Sequence, residues 1–423
     1  MTTLSWTQIA RMGLVQMALG AILVLTTSTL NRLMVVEFAL PAILPGMLVG
    51  LHYGIQLSRP RWGFNSDTRG NRTRWIIGGM VTLALGGFLA AFAVTLFTAS
   101  FWGALLLSIL AYTLIGVGVG ASGTSLLALL ATATAPQRRA AAATITWLMM
   151  IFGIAMTAGV AGSFLDPYTP ARLLTVVAVV VTAATAVTIL AIAGIEHRVT
   201  ATRDPDAMPF MQGLREVWAE RSTRNFTIFV FLSMNAYFMQ ELILEPFAGL
   251  VWGFTPGQST SLSGAQNGGV FVGMLTVGIM ATGLKIGSLR SWIVAGCLGS
   301  ALSLIAIASA ALPLVPTVVS LGVFNGMFAV AAIGSMMALA AEGRAQREGT
   351  RMGLWGAAQA IAAGFGGLTG AAAVDVMRGF QPDASAFGTV FAAEAALFIA
   401  AAFMALHIME NRAPAQANMV PGE

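Results

Sequence analysis

In a chain with only 9% charged residues, the side chains able to do chemistry stand out as polar positions inside or beside long apolar runs. His52 and Tyr53 sit near the middle of the second run. A neutral imidazole there is either a metal ligand or a packed histidine bonded to a backbone carbonyl. Asn31, Arg32 and Glu37 gather around the outer end of the first hairpin. Gln240, Glu241 and Glu245 lie toward the end of the seventh run, with Glu241 and Glu245 sharing a helix face at i,i+4. Asp375 and Glu394 are isolated acids. Charge in hydrocarbon is costly and usually faces a bundle interior or a cavity. A carboxylate buried in this way and shifted toward neutrality is suited to proton relay, whereas one at the interface pairs with an arginine or water. No nucleophile–base pair, metal cluster or phosphate loop has convincing spacing, so an enzyme is not expected.

These residues need elements to hold them, and the composition says which. A chain of 423 residues that is 57% hydrophobic, with mean hydropathy +0.82, is built from helices that face lipid. Twelve helix-length apolar segments are expected, all α, in two six-helix halves at 1–195 and 225–410. Between them lies a cytoplasmic linker at 196–224, with a tail at 411–423. Phe210 to Asn225 has an apolar helical face suited to the membrane surface. Of the 22 basic residues, 21 are Arg, and only Arg32, Arg172 and Arg378 fall on one side of the expected topology. That bias predicts both termini in the cytoplasm, and short loops of Arg point to membrane topology rather than to nucleic acid. The first apolar run shows no cleavage pattern and reads as the first span. The single cysteine, Cys297, allows no intrachain disulfide.

Internal repetition supports two halves. Ser125–Leu130 matches Ser335–Ala340 and Gly116 matches Gly326, while Trp147 matches Trp355 and Glu37 matches Glu245 at nearly the same offset. Between the second and third runs the spacing is Gly63-x-x-x-Asp67-x-x-Gly70-x-Arg72. This resembles the loop between helices 2 and 3 of major facilitator superfamily transporters, except that Asn71 stands where an Arg is usual. The resemblance implies that Gly63, Asp67, Gly70 and Arg72 form a conformational latch on the cytoplasmic side. Glycines in the fourth run (Gly116, Gly118, Gly120, Gly123) and the eleventh (Gly364, Gly366, Gly367, Gly370) permit close helix contact, or leave room for a flat ligand.

Asn31 to Tyr53, Gly120 to Ala131, and Gln240 to Phe247 with the following Gly253–Gln258 are similar to the corresponding segments of the PucC/LhaA, or bacteriochlorophyll delivery, family of that superfamily. The resemblance implies a multi-pass protein of the bacterial inner (intracytoplasmic) membrane. It would assist assembly of light-harvesting or reaction-centre antenna complexes and bind or deliver bacteriochlorophyll to antenna polypeptides. It also makes His52, Glu37, Asn31, Gln240 and Glu245 the candidate cofactor-binding residues, with His52 a candidate axial ligand to the chlorophyll magnesium. Partners would be membrane lipid, antenna polypeptides, and the reaction centre or pigment-synthesis enzymes. Two rival readings remain: a proton-coupled secondary transporter of a small, mostly apolar solute, and a scaffold that binds antenna subunits without pigment. Helix 1 before Asn31 and helix 4 carry no charge beyond Arg11, which counts against a hydrophilic substrate.

Overall fold

The computed structural model describes residues 3–59, 62, 71–135, 138–196, 215, 218–342 and 348–410. The latch positions Gly63, Asp67 and Gly70, most of the linker and the tail 411–423 lie outside the described residues. Long apolar runs in lipid have one way to satisfy every backbone N–H and C=O within a single segment, and that is the α-helix. Twelve long helices result among the described residues. They are α1 (Trp6–Glu37), α2 (Ile43–Gln56), α3 (Arg72–Thr95), α4 (Phe101–Ala133), α5 (Arg139–Leu165) and α6 (Pro170–Ile192). The second six are α7 (Arg221–Trp252), α8 (Pro256–Val277), α9 (Leu289–Ser309), α10 (Leu314–Glu342), α11 (Glu348–Arg378) and α12 (Asp383–Glu410). Arg221–Asn225, expected to belong to a surface helix, instead begin α7.

Starts are set by local chemistry. Ser5, Thr255 and Ser288 each form a capping box, and Thr169 with Pro170 opens α6. Helix α1 contains two π-helical stretches, Leu25–Thr29 and Leu33–Glu37, and α8 runs on into a third at Gly278–Gly283. Such bulges in long helices often mark functional positions.

Ten of the twelve are long and apolar enough to cross a membrane by length and composition; α2 and α8 are the exceptions. Helix α2 has 14 residues, and α8 opens with the polar run PGQSTSLSGAQNGG. In the packing α2 lies against α11 and α8 against α5, so both contact the other half of the bundle.

Every dominant helix pair has a counterpart six helices on. The pairs α3·α4, α2·α4, α1·α5, α1·α6 and α3·α6 recur as α9·α10, α8·α10, α7·α11, α7·α12 and α9·α12. The two cross pairs, α2·α11 and α5·α8, exchange under the same shift. Two large apolar cores follow, one drawn from α1–α6 with Leu242 added, the other from α7–α12. The matched glycines act in matched places. A Cβ on Gly116 would meet the His52 carbonyl of α2 at 2.8 Å, and one on Gly326 would meet the Val270 carbonyl of α8 at 2.1 Å. Most other glycines of the two runs also seat helix on helix: Gly118 abuts α3, while Gly366 and Gly370 abut α7. Only Gly123 opens onto a cavity.

Candidate functional site

Polar contacts join the two halves at the end of the bundle away from the termini. The Asn31 amide of α1 donates to the Leu242 carbonyl of α7 at 2.6 Å, and the Thr29 and Thr260 hydroxyls meet at 3.0 Å. Arg32, 2% exposed, donates to Glu37 at 2.5 Å and to the Phe254 carbonyl at 2.7 Å. Asp166 accepts from the Thr255 hydroxyl at 2.6 Å and the Gly257 N–H at 3.2 Å. Asp375 accepts from the backbone N–H groups of Ala42 and Ile43 at 2.9 and 2.7 Å, an anion set at the start of α2. Glu245 is fully buried beside these contacts and accepts from the Ser263 hydroxyl at 2.5 Å. Asn31, Glu37 and Glu245 are therefore brought together near this junction. The pairing of Glu37 with Glu245 by repeat does not extend to environment, since Glu37 is 37% exposed.

At the opposite end, the start of α3 is tied to the chain just after α6. The Glu196 carboxylate accepts from the Arg72 N–H at 2.7 Å and from the Thr73 N–H and hydroxyl at 2.8 and 2.7 Å. Burial alone would raise the Glu196 carboxyl, but these hydrogen bonds and the nearby Arg72 charge hold it below the ordinary carboxylate range. Arg72 is the one described member of the expected latch.

Between the halves lies a cavity of about 280 Å³, lined by residues of α1, α2, α4 and α5 and of their counterparts α7, α8, α10 and α11. Its wall is largely apolar and aromatic, including Leu19, Trp147, Met150, Met234 and Phe238. Polar groups converge on it from α1 (Gln16, Thr27), α2 (His52, Tyr53, Gln56), α7 (Gln240, Glu241) and α8 (Ser263, Gln266, Asn267), with Arg59 just beyond α2. This differs from the plain cavity that the uncharged fourth helix and the first suggest. Helix α4 does supply only Val119, Gly123 and Leu127. The ionisable groups instead come from α7 and the end of α2.

His52 lies just past the middle of α2. Its Nε2 is 2.7 Å from the Gln56 amide nitrogen. Arg59 donates to the Gln56 carbonyl oxygen, which fixes the amide so that its N–H faces the ring. Nε2 must then be the acceptor, and the proton sits on Nδ1. The nitrogen that would serve a metal is thus engaged. Gln240 contrasts with it: its side chain is 2% exposed, lines the cavity, and its Oε1 has no hydrogen-bond partner. An unpartnered amide oxygen suits magnesium better than an occupied imidazole. Of the five candidate ligands, His52 and Gln240 line the cavity; Asn31, Glu37 and Glu245 do not.

For a bacteriochlorophyll, the donor fits and the volume does not. A cavity near 280 Å³ falls at the lower edge of small-molecule sites, roughly 300–1,000 Å³, and a tailed tetrapyrrole exceeds a drug-sized ligand. A second groove of about 590 Å³ lies between α5 and α6, lined by Met156, Phe164, Val176 and Val179 with Arg172. It has room but no imidazole, amide or carboxylate in its wall.

Residues 29–413 match the family profile described as PUCC protein. The chain belongs to the PUCC family. The "Bacteriochlorophyll synthase 44.5 kDa chain" of Rhodobacter capsulatus is 67% identical over 98% of each chain. "Protein PucC" of Cereibacter sphaeroides is 29% identical over 96% of this chain and 92% of its own. Among solved structures, a bacterial homologue of the human lysosomal transporter Spinster, inward-facing and unoccupied, superposes with TM-score 0.67 at 15% identity, covering 96% and 95% of the two chains. That likeness fixes the fold as that of major facilitator transporters. This PUCC protein is therefore a multi-pass membrane protein of that fold.

Sequence reasoning passed over Arg59 and Gln16 in the PUCC cavity. Arg59 counts as a loop cation under the positive-inside rule, and a lone glutamine in an apolar helix carries little weight. A signal for the first was present: His52, Gln56 and Arg59 are spaced i, i+4 and i+7, one helix face.

Proposed function

We propose that this PUCC protein is an assembly factor for photosynthetic light-harvesting or reaction-centre antenna complexes. It handles bacteriochlorophyll and small antenna polypeptides within the bacterial inner membrane, with both termini cytoplasmic. The observation that carries the reading is the family match across residues 29–413. The name of the Rhodobacter capsulatus relative supports the link to bacteriochlorophyll. We assign this chain a non-catalytic part, because the convergent polar groups of the cavity are suited to binding and holding. In the cavity wall Gln240 and Gln16 carry free amide oxygens, and His52 is engaged by Gln56. The junction residues Asn31, Glu37 and Glu245 govern access rather than ligation, and Gly63, Asp67, Gly70 and Arg72 serve as the latch at the other end.

The test is affinity purification from a pigment-producing host, followed by identification of the retained pigments and peptides. Antenna polypeptides or bacteriochlorophyll in stoichiometric amount support the proposal. Recovery of neither, from cells actively building antennae, contradicts it.

One observation favours a second reading, proton-coupled transport. Glu241 lines the cavity with the Thr27 hydroxyl against its carboxyl and with Tyr53 and Tyr237 around it. Uptake into proteoliposomes that collapses with a proton ionophore, and is lost in Glu241→Gln, would decide for transport.

A further inference from the structure

Arg59 is a cation for which the described part of the protein provides no counter-ion. Its guanidinium donates to the neutral Gln56 side chain, its Nε is buried without a partner, and no ion pair joins it to a carboxylate among the described residues. An arginine at the end of a membrane helix ordinarily extends its head toward water or phosphate. Here the side chain lines the central cavity instead, across from an apolar wall. Trp62, one turn on, donates from Nε1 to the Ser58 hydroxyl at 3.0 Å, lies 5.9 Å from the Trp75 ring, and fills the space over Gly120.

A half-buried guanidinium whose described partners are neutral, with its Nε buried and unpaired, gains from an anion delivered beside it. The carboxyl that lines the cavity, Glu241, forms no ion pair with Arg59. Glu241 has the Thr27 hydroxyl and the two tyrosines as its surroundings. Between these poles the wall is Leu19, Leu23, Trp147, Met150, Ile154 and Phe238, shaped for an apolar body.

We infer that the central cavity binds a ligand whose apolar body ends in a single carboxylate, with the Arg59 guanidinium as its anchor. The His52–Gln56–Arg59 face then acts as one unit. When a carboxylate takes the guanidinium, Gln56 loses its donor from Arg59, and the amide is free to turn away from His52. Ligand charge at one end is in this way read out at the imidazole. Two sources carry this chemistry: a fatty acid, whose chain suits the cavity's volume, and a tetrapyrrole acid without its esterifying tail, whose macrocycle would require the cavity to widen. The inference deepens the proposed function and rests on the central cavity being its ligand site.

The experiment uses the full chain in nanodiscs and two matched probe pairs, pheophorbide a with its methyl ester and palmitate with methyl palmitate. Retention is measured above that of empty nanodiscs. The expected result is saturable binding of one acid, with its ester weaker by about ten- to a hundred-fold, the range carried by a hydrogen bond to a charged group. Arg59→Gln abolishes the preference and Arg59→Lys keeps most of it, provided each variant elutes as a single species. Preference for pheophorbide a assigns the tetrapyrrole acid, and preference for palmitate the fatty acid. Equal binding of acid and ester, an unchanged preference in Arg59→Gln, or no saturable binding of either acid overturns the inference. Antenna formation in cells is read separately, so the assembly role stands or falls on its own result.

Discussion

Asn31 of α1 and Leu242 of α7 are joined by a side-chain amide hydrogen bond of 2.6 Å, and both residues are buried. The bond crosses between the halves of the bundle, immediately beside the Arg32–Glu37 pair. A transporter fold moves by rocking one half against the other around its cavity. Each polar contact at this junction therefore helps hold the two halves together.

Replacing Asn31 by Leu keeps the bulk but leaves the Leu242 carbonyl without its donor. The expected loss is about 1–3 kcal/mol, the cost of an orphaned buried polar group. The detergent-solubilised protein should melt at lower temperature, and a cysteine pair placed across the junction should crosslink more slowly. Unchanged melting would show that the bond contributes nothing net.

Arg32 and Glu37 form one ion pair, but the two deletions are not equivalent. Arg32 is almost wholly buried and also holds the Phe254 carbonyl, while Glu37 is partly exposed. Arg32→Ala should destabilise by about 1–3 kcal/mol. Glu37→Gln leaves an acceptor for the guanidinium but removes its counter-charge, and should cost less than Arg32→Ala, toward the lower end of that range. Thermal unfolding of the two variants side by side checks the order.

Helix α3 seats on α4 through Gly79 and Gly118. A Cβ on Gly118 would lie 2.5 Å from the Leu83 nitrogen, whereas one on Gly78 meets nothing within 4 Å. Gly118→Ala should lower stability and folded yield, with overpacking costing about 1–3 kcal/mol. Gly78→Ala, one residue from Gly79 on the open face, should be tolerated. Fluorescence-detected size-exclusion chromatography separates the outcomes.

Glu196 predicts a pH dependence outside the membrane. Its folded carboxyl is held below the ordinary value, so its contribution is complete above an unfolded value of about 4.3 and is lost as pH falls through the folded one. The wild type should therefore lose stability on acidification through this window, and Glu196→Gln should lose less. The group is partly exposed, so the effect is modest and weakened by salt. Melting curves at pH 6 and below pH 4 test the sign.

Much of the architecture could be read from the chain because helix-length apolar runs and the Arg bias act over many residues at once. The Gly116–Gly326 match proved physical, since both glycines carry equivalent helix contacts. The match of Trp147 with Trp355 did not extend to role: Trp147 lines the cavity, while Trp355 is buried against Phe226. The site was less legible because side-chain partners come from distant segments. Nothing local distinguishes Gln240, whose free oxygen belongs to a cavity residue, from Asn31, whose oxygen is also unpartnered but lies outside the cavity while its N–H donates to Leu242. Nor does local sequence reveal that Glu394 is fully buried with neither carboxyl oxygen hydrogen-bonded.

The assembly role is tested most directly by the near-infrared absorption of membranes from a pigment-producing host lacking this chain, with extracted pigments measured in parallel. The account predicts that the antenna bands fall while esterified bacteriochlorophyll is still made, and that the wild-type chain restores them. Antenna bands of normal height, or a loss explained wholly by missing esterified pigment, would contradict it.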